Sequence, residues 1–325
     1  MSPVSGGWSN LRAPFRLSLM KAIDRTTLTP GLAQRLLRST GVRNRLFPAA
    51  KLDQWAAHPR PPYAGQPSKR VLKRIQVERV DLAGRPVYEV SPRLVDQDAL
   101  SGHLLYLHGG AYVLDLLPHF HWPAIAKLAN TLRRTVTVPI YPIAPEHTYR
   151  EVFPFLLQTY RRLLDSREPN SIAFMGDSAG GGMAFALCHA VRDAGLAQPS
   201  DAVLLSPWMH VALPDPGVTA VAKIDPLLNL DDLRAAGIRY AGGDPLDTPL
   251  VSPSVGPLTG LPRLTVFTGT HDVLNPDARA FHERATAHGL DIGWYERPGA
   301  MHVWMLLPGR HVGETLNQIQ RVLSH

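Results

Sequence analysis

Leu11, Phe15, Leu19 and Ile23 stand four apart, a stripe that predicts a helix over residues 11–25. A second helical pattern covers residues 31–46. Residues 58–70 carry four prolines and read as a linker. The pattern then changes period. Residues 71–82 and 87–90 alternate in β fashion around Ala83-Gly84, which predicts a hairpin. Short, continuously apolar strands follow at 103–107, 135–140, 172–175, 202–205 and 264–268, with a further strand at 292–296. Helical patterns fall between them near 122–132, 153–164, 179–194 and 277–288. This alternation predicts an α/β protein with a mostly parallel central sheet and helices on both faces.

One stretch breaks the rhythm. Residues 207–253 are long, rich in Pro and Asp, and helical only near 230–240. They read as an insertion over the sheet that packs with the N-terminal arm as a helical cap. The expected organisation is an arm at 1–60, a first core segment at 61–206, a cap insertion at 207–253 and a second core segment at 254–325.

Composition narrows the field. The 325 residues are 45% apolar and 19% charged, enough for a sizeable core and too apolar for global disorder. No apolar run reaches the length of a membrane span, and residues 1–24 lack a signal-peptide pattern. The single Cys188 fits a reducing cytoplasm, which is the expected location. Residues 1–80 hold 15 Lys and Arg against 3 Asp and Glu, while the remainder is mildly acidic. A basic arm of this kind could make weak contact with an anionic lipid surface. No zinc-finger or RNA-recognition signature supports nucleic acid. The glycine clusters lack both the P-loop lysine and the dinucleotide spacing, so no cofactor is expected. His119 and His121 have no third ligand at suitable spacing, so no metal is expected.

The chemistry concentrates at strand ends. Gly176-Asp177-Ser178-Ala179-Gly180 follows the 172–175 strand and opens a helix, the context of a nucleophile elbow. A serine on so sharp a turn requires small neighbours, and Gly176, Ala179, Gly180, Gly181 and Gly182 supply them. His108-Gly109-Gly110-Ala111-Tyr112 follows the 103–107 strand. Its backbone N–H groups, from Gly109, Gly110 and Ala111, with that of Ala179, are candidate donors to an oxyanion. His108 is expected to shape this loop rather than move a proton.

A nucleophilic serine needs a base, and the base needs an orienting acid. His189 lies in the helix behind the serine, and His282 and His288 lie on a surface helix. His302 sits in the loop after the 292–296 strand and is the expected base. Asp272 follows the 264–268 strand and is the expected acid. Asp277 is the alternative, more simply read as a helix N-terminal partner. Asp177 is expected to brace a nearby loop. Tyr112 and Trp208 are candidate substrate-binding residues. Trp304, Trp8, Phe15 and Trp55 either line an apolar pocket or pack in cap and core.

Taken together, these motifs resemble the hormone-sensitive-lipase-like branch of the α/β-hydrolase superfamily, bacterial esterases with a Gly-Asp-Ser-Ala-Gly-Gly elbow. The matching residues are His108 to Ala111, Tyr141 to His147, Gly176 to Gly181, Leu205 to Trp208, Asp272 with Leu274, and His302. The departures are Ala111 in place of a third glycine, Pro142-Ile143 in place of Arg-Leu after Tyr141, Val273 in place of a proline after Asp272, and Val303-Trp304 in place of Gly-Phe after His302. The resemblance implies the α/β-hydrolase fold with a cap. It implies Ser178 as nucleophile, His302 as base, Asp272 as orienter and no cofactor. It implies a small-molecule ester substrate and allows a homodimer. The expected function is a serine carboxylesterase acting on short- to medium-chain acyl esters. An amidase, N-formyl hydrolase or lactonase would use the same triad, and a non-catalytic ligand-binding protein is the remaining alternative.

Overall fold

The computed structural model describes residues 30–58, 60, 63, 65–96, 100–307 and 311–324. The helix expected at 11–25, with Trp8 and Phe15, lies outside the described residues. Strands β1 (Ile75–Leu82) and β2 (Arg85–Pro92) form the expected hairpin, with Leu82 opposite Arg85. The two turn residues, Ala83 and Gly84, both have positive φ, 49° and 74°. That geometry matches the right-handed twist of the flanking strands.

Six more strands complete one sheet: β3 (His103–Leu107), β4 (Thr135–Pro139), β5 (Ile172–Asp177), β6 (Asp201–Leu205), β7 (Arg263–Gly269) and β8 (Gly293–Arg297). Their spatial order is β1-β2-β4-β3-β5-β6-β7-β8. The hairpin and its junction with β4 are antiparallel, and every other pairing is parallel. Strands β3, β5 and β6 are buried along their whole length, which explains their unbroken apolar runs.

Successive residues feed opposite cores. Leu104 and Tyr106 of β3 join the layer containing α4 (His121–Leu132) and α10 (His311–Val322). Leu105 and Leu107 join the layer containing α5 (Tyr149–Leu164), α6 (Ala179–Asp193) and α9 (Asn275–Ala287). Helix α5 starts four residues before the expected 153. Thr148 and Glu151 form a reciprocal capping box there, which satisfies otherwise free N–H groups.

The N-terminal segment differs from expectation in detail. Its helix α1 (Pro30–Ser39) stops short, because Gly41 turns left-handed at φ 65° and only a 3₁₀ turn, Val42–Asn44, follows. A further helix, α2 (Ala49–Ala57), has no counterpart in the expected pattern; its Leu52 and Trp55 face inward. The residues read as linker end in a short helix, α3 (Lys69–Leu72), capped by the Ser68 hydroxyl. The insertion holds two helices rather than one, α7 (Val218–Ala222) and α8 (Leu230–Ala241).

Arm and insertion pack on each other. The Asp232 carboxylate accepts the Ala49 N–H at 3.0 Å, and Asn229 Nδ2 donates to Asn44 Oδ1 at 3.0 Å. Arg38 and Arg43 donate to the backbone carbonyls of Lys223 and Ala222 at 2.7 and 3.0 Å. No helix among the described residues is long and apolar enough to cross a membrane.

Candidate active site

Strand β5 runs straight into Ser178, which sits at φ 56° and ψ −123° between the strand and α6. Such a backbone costs about 1–3 kcal/mol for a residue with a side chain, and it persists only where its surroundings hold it. Here they do. The Ser178 N–H donates to Leu205 O at 2.8 Å, and its carbonyl accepts from Trp208 N at 3.0 Å and Gly182 N at 3.1 Å. The glycines admit this crowding. A Cβ on Gly180 would fall 2.1 Å from Leu107 O, and one on Gly176 would fall 2.2 Å from Gly180 O.

Ser178 meets His302 across 124 residues of chain, and His302 meets Asp272 across 30. His302 Nε2 lies 2.9 Å from Ser178 Oγ, and His302 Nδ1 lies 2.9 Å from Asp272 Oδ2. An ionised carboxylate only accepts, so Nδ1 carries the proton and Nε2 presents its lone pair to the serine hydroxyl. Relative exposure is 7% for Ser178, 3% for His302 and 0% for Asp272. Burial acts to lower the His302 pKa. The Asp272 carboxylate, its hydrogen bond, and the charges of Asp225 and Asp177 outweigh it, and the net shift is upward.

The acid and base loops are stitched to one another. His271 N donates to Ala300 O at 2.9 Å, and Trp304 Nε1 donates to Thr268 O at 3.1 Å. The Val303 N–H donates to Ser206 Oγ at 3.0 Å.

The glycine loop after β3 carries three successive positive φ values: 137° at Gly110, 54° at Ala111 and 64° at Tyr112. The carbonyl of Gly110 accepts from Val113 and Leu114 at 3.0 and 2.8 Å. The four expected oxyanion donors separate here. Gly109 N donates to Asp177 Oδ1 at 3.0 Å, so its N–H is already committed. The amides of Gly110, Ala111 and Ala179 have no protein acceptor among the described residues. Gly109 is thus an anchor of the loop, and its Cβ position lies 2.3 Å from Asp177 Oδ2.

Asp177 braces this loop. Its Oδ1 also accepts the Tyr106 hydroxyl at 2.6 Å, and its Oδ2 faces His121 Nε2 at 3.5 Å. Burial pushes its carboxyl up, but His121, Tyr106 and the Gly109 N–H more than offset this, and its pKa lies below the usual value. His121 Nδ1 accepts the Leu117 N–H at 2.8 Å, so its Nε2 bears the proton directed at Asp177. His108 donates from Nδ1 to Gly109 O at 2.8 Å and stacks on Tyr141 at 4.3 Å. Burial first, then His121, lowers the His108 pKa to about 3, which keeps it neutral.

Tyr112 and Trp208 are placed otherwise than expected of substrate-binding side chains. Both are fully buried, Tyr112 is stacked between Trp208 and Tyr240 at 5.2 and 3.9 Å, and Trp208 Nε1 donates to His210 O at 2.9 Å. Their surfaces are occupied by one another and form packing beneath the first turn of α6. The Gly182 Cβ position lies 2.0 Å from Trp208 O, which accounts for the third glycine of the helix. Trp55 is buried under the Arg60 guanidinium, 4.6 Å from its ring centroid. Asp277, the alternative acid, opens α9 and accepts the Asp215 N–H at 3.1 Å.

Three residues at the site had no signature in the sequence. Gln34 of α1 donates to Gly299 O at 2.7 Å and accepts from His271 Nδ1 at 2.9 Å, spanning the acid and base loops. Asp225 of the insertion accepts the Val273 N–H at 2.8 Å. Arg60 bonds to Glu146 and to the carbonyls of Val113 and Ala144. Glu146 lay within a motif that could have prompted a search for a cation. Nothing about Gln34 or Asp225 in the sequence distinguishes them from other polar residues.

Known proteins share this fold. The α/β-hydrolase fold family model matches residues 104–306. An acetyl-hydrolase of Streptomyces hygroscopicus is 37% identical over 202 residues, 62% of this chain and 67% of that protein. An esterase of Acinetobacter venetianus is 31% identical over 214 residues, 65% of this chain and 69% of its own. A hormone-sensitive lipase structure from a metagenome library superposes with a TM-score of 0.77 at 25% identity, covering 92% of this chain and 99% of that one. The chain belongs to the α/β-hydrolase family, in its hormone-sensitive-lipase-like branch.

Proposed function

We propose that this carboxylic ester hydrolase works through a Ser178–His302–Asp272 triad and an acyl-enzyme. The reading rests on one observation above all: the buried chain Ser178 Oγ–His302–Asp272, each link 2.9 Å. His302 Nε2 takes the hydroxyl proton as Ser178 Oγ bonds to the ester carbonyl carbon. The carbonyl oxygen becomes an oxyanion facing the free amides of Gly110, Ala111 and Ala179. The carbon–oxygen bond to the alcohol then breaks, and the imidazolium returns its proton to the departing alkoxide. Water repeats the sequence: His302 takes its proton, the hydroxide adds to the acyl carbon, and Ser178 leaves reprotonated. The positive end of α6 lies behind the oxyanion and favours the negative charge.

Short- to medium-chain acyl esters are the proposed substrates. The arm and insertion lie together over the loops that carry Asp272 and His302, as a cap that limits the length of acyl chain admitted. Hydrolysis of p-nitrophenyl acetate, butyrate, octanoate and palmitate by the protein and by Ser178→Ala tests both parts. We expect a rate maximum at butyrate or octanoate, and a loss of roughly 10⁴–10⁶-fold in the variant. Preference for palmitate would overturn the chain-length assignment, and a variant as active as the parent would overturn the nucleophile.

A further inference from the structure

Asp225 is fully buried and has no task in the mechanism just described. It lies in the insertion between α7 and α8. Its Oδ1 accepts the N–H groups of Leu227 and Leu228 at 2.7 and 2.9 Å. Its Oδ2 accepts from Val273 N at 2.8 Å. The next amide, Leu274 N, donates to Asp272 Oδ1 at 3.0 Å. Two carboxylates from distant parts of the chain therefore hold consecutive N–H groups of one turn. The arm secures the far side: Arg43 donates to the backbone carbonyls of Asp225 and Ala222 at 3.3 and 3.0 Å.

A turn needs an acceptor for its amide, but a neutral side chain would serve. A buried carboxylate is a costly choice, and the described residues include no Lys or Arg paired with this one. The charged groups that bear on it are Asp272 and His302. Those that bear on His302 are Asp272, Asp225 and Asp177. Negative charge held near an imidazole favours its protonated form, and His302 is protonated each time Ser178 or water gives up its proton.

On the triad reading above, we propose that Asp225 is a positioning residue: it locks the Asp272 turn to the cap insertion and adds a second negative charge that favours the imidazolium of His302. The path is continuous through Arg43, the Asp225 backbone, its carboxylate, the turn at 272–274 and His302. Burial, then the charge of Asp272, raises the Asp225 carboxyl above the usual carboxylate range, and the three N–H groups it accepts favour its ionised form.

The test is the pH dependence of kcat/KM on p-nitrophenyl butyrate for the full chain, Asp225→Asn and Asp232→Ala. The Asp225→Asn change keeps the size and one acceptor oxygen but removes the charge. We expect the acid limb of that variant to move down by about half a unit or more, with kcat about tenfold lower at pH 8 and KM little changed. Asp232→Ala removes a tie between arm and insertion without touching the acid turn, and its limb should stay in place. An unmoved limb in Asp225→Asn, or an equal movement in Asp232→Ala, would overturn the proposal. A parent protein inert on every ester would overturn the hydrolytic reading and this inference with it. Should Asp225→Asn not fold, the unmodified protein still decides. The downfield Nδ1 proton resonance of His302 must then show two titration steps, its own and a neighbouring carboxyl's; a single step overturns the proposal.

Discussion

The two sides of the reaction centre are held by different parts of the molecule. Ser178 and the glycine loop rest on the sheet core, through Leu205, Asp177, Tyr106 and the His108–Tyr141 stack. Asp272 and His302 sit on loops whose outer braces come from the N-terminal arm and the insertion, together the cap side, through Gln34 and Asp225. The geometry of Ser178 is set by residues near it in sequence and by adjacent strands. The geometry of the Asp272 and His302 loops depends on segments more than 40 residues away. Two buried histidines mark the same division. His108 on the core side meets carbonyls and a neighbouring His121, and burial lowers its pKa to about 3. His302 on the cap side is equally enclosed, yet Asp272 reverses the sign of its shift. Burial alone does not decide the direction of an imidazole's shift; a carboxylate hydrogen-bonded to the ring, as Asp272 is to His302, reverses it.

The sharpest way to break this comparison is to remove the charge that separates the two histidines. Asp272→Asn keeps the shape of the acid but favours the wrong tautomer of His302. We expect kcat on p-nitrophenyl butyrate to fall by about 10⁴-fold. A fall of less than tenfold would mean that another carboxylate orients the base.

The pH dependence of stability probes both sides at once. His108, like His103 on β3, is lowered to about 3 by burial. Such groups favour the fold above the unfolded histidine pKa, roughly 6.5, and that contribution is lost as pH falls towards their folded values. His302, raised in the fold, contributes in the opposite sense: fully below roughly 6.5, and lost as pH rises through its folded value. His147, His189, His210 and His311 are lowered by burial as well, while the carboxyls of Asp115, Asp225 and Asp277 are raised by burial and act in the opposite sense, so the histidine contribution is read by difference. We expect the change in Tm from about pH 6.5 to about pH 4 to be less favourable in the parent than in His103→Gln, by the equivalent of at most a few kcal/mol, followed by differential scanning fluorimetry. An identical change in both would show that buried His103 does not contribute to acid stability.

The smallest effect should come from the cap's outer surface. Asp53 of α2 and Arg239 of α8 form an ion pair with both side chains largely exposed. Arg239→Ala should change stability by less than about 0.5 kcal/mol and leave kcat/KM within twofold. A larger fall in kcat/KM would show that cap placement depends on this pair as well as on Asp225.

Much of the core side was legible in the sequence. Ser178 announced itself through the small residues that its turn demands, and the hairpin through Ala83-Gly84. Strands β3, β5 and β6 were visible as unbroken apolar runs because both of their faces are covered. The cap was less legible. Helix α2 packs only part of its short length and carries no cap signal, and α7 is five residues long. The aromatic residues Tyr112 and Trp208 misled, because a ring that packs against other rings has the same sequence appearance as one that meets a ligand.

The sequence by itself determined the period of each core element, the order of the candidate residues Ser178, Asp272 and His302 along the chain, and the turn on which the serine stands. These follow from local sterics and side-chain periodicity, which act over a few residues. Only the tertiary structure decided that Gly109 gives its N–H to Asp177, that Gln34 spans the His271 and Gly299 loops, and that Asp225 lies against the Asp272 turn. Those contacts join residues 40 to more than 200 positions apart. No local pattern encodes them, because their energy is realised only when the chain has already brought the partners together and excluded water from between them.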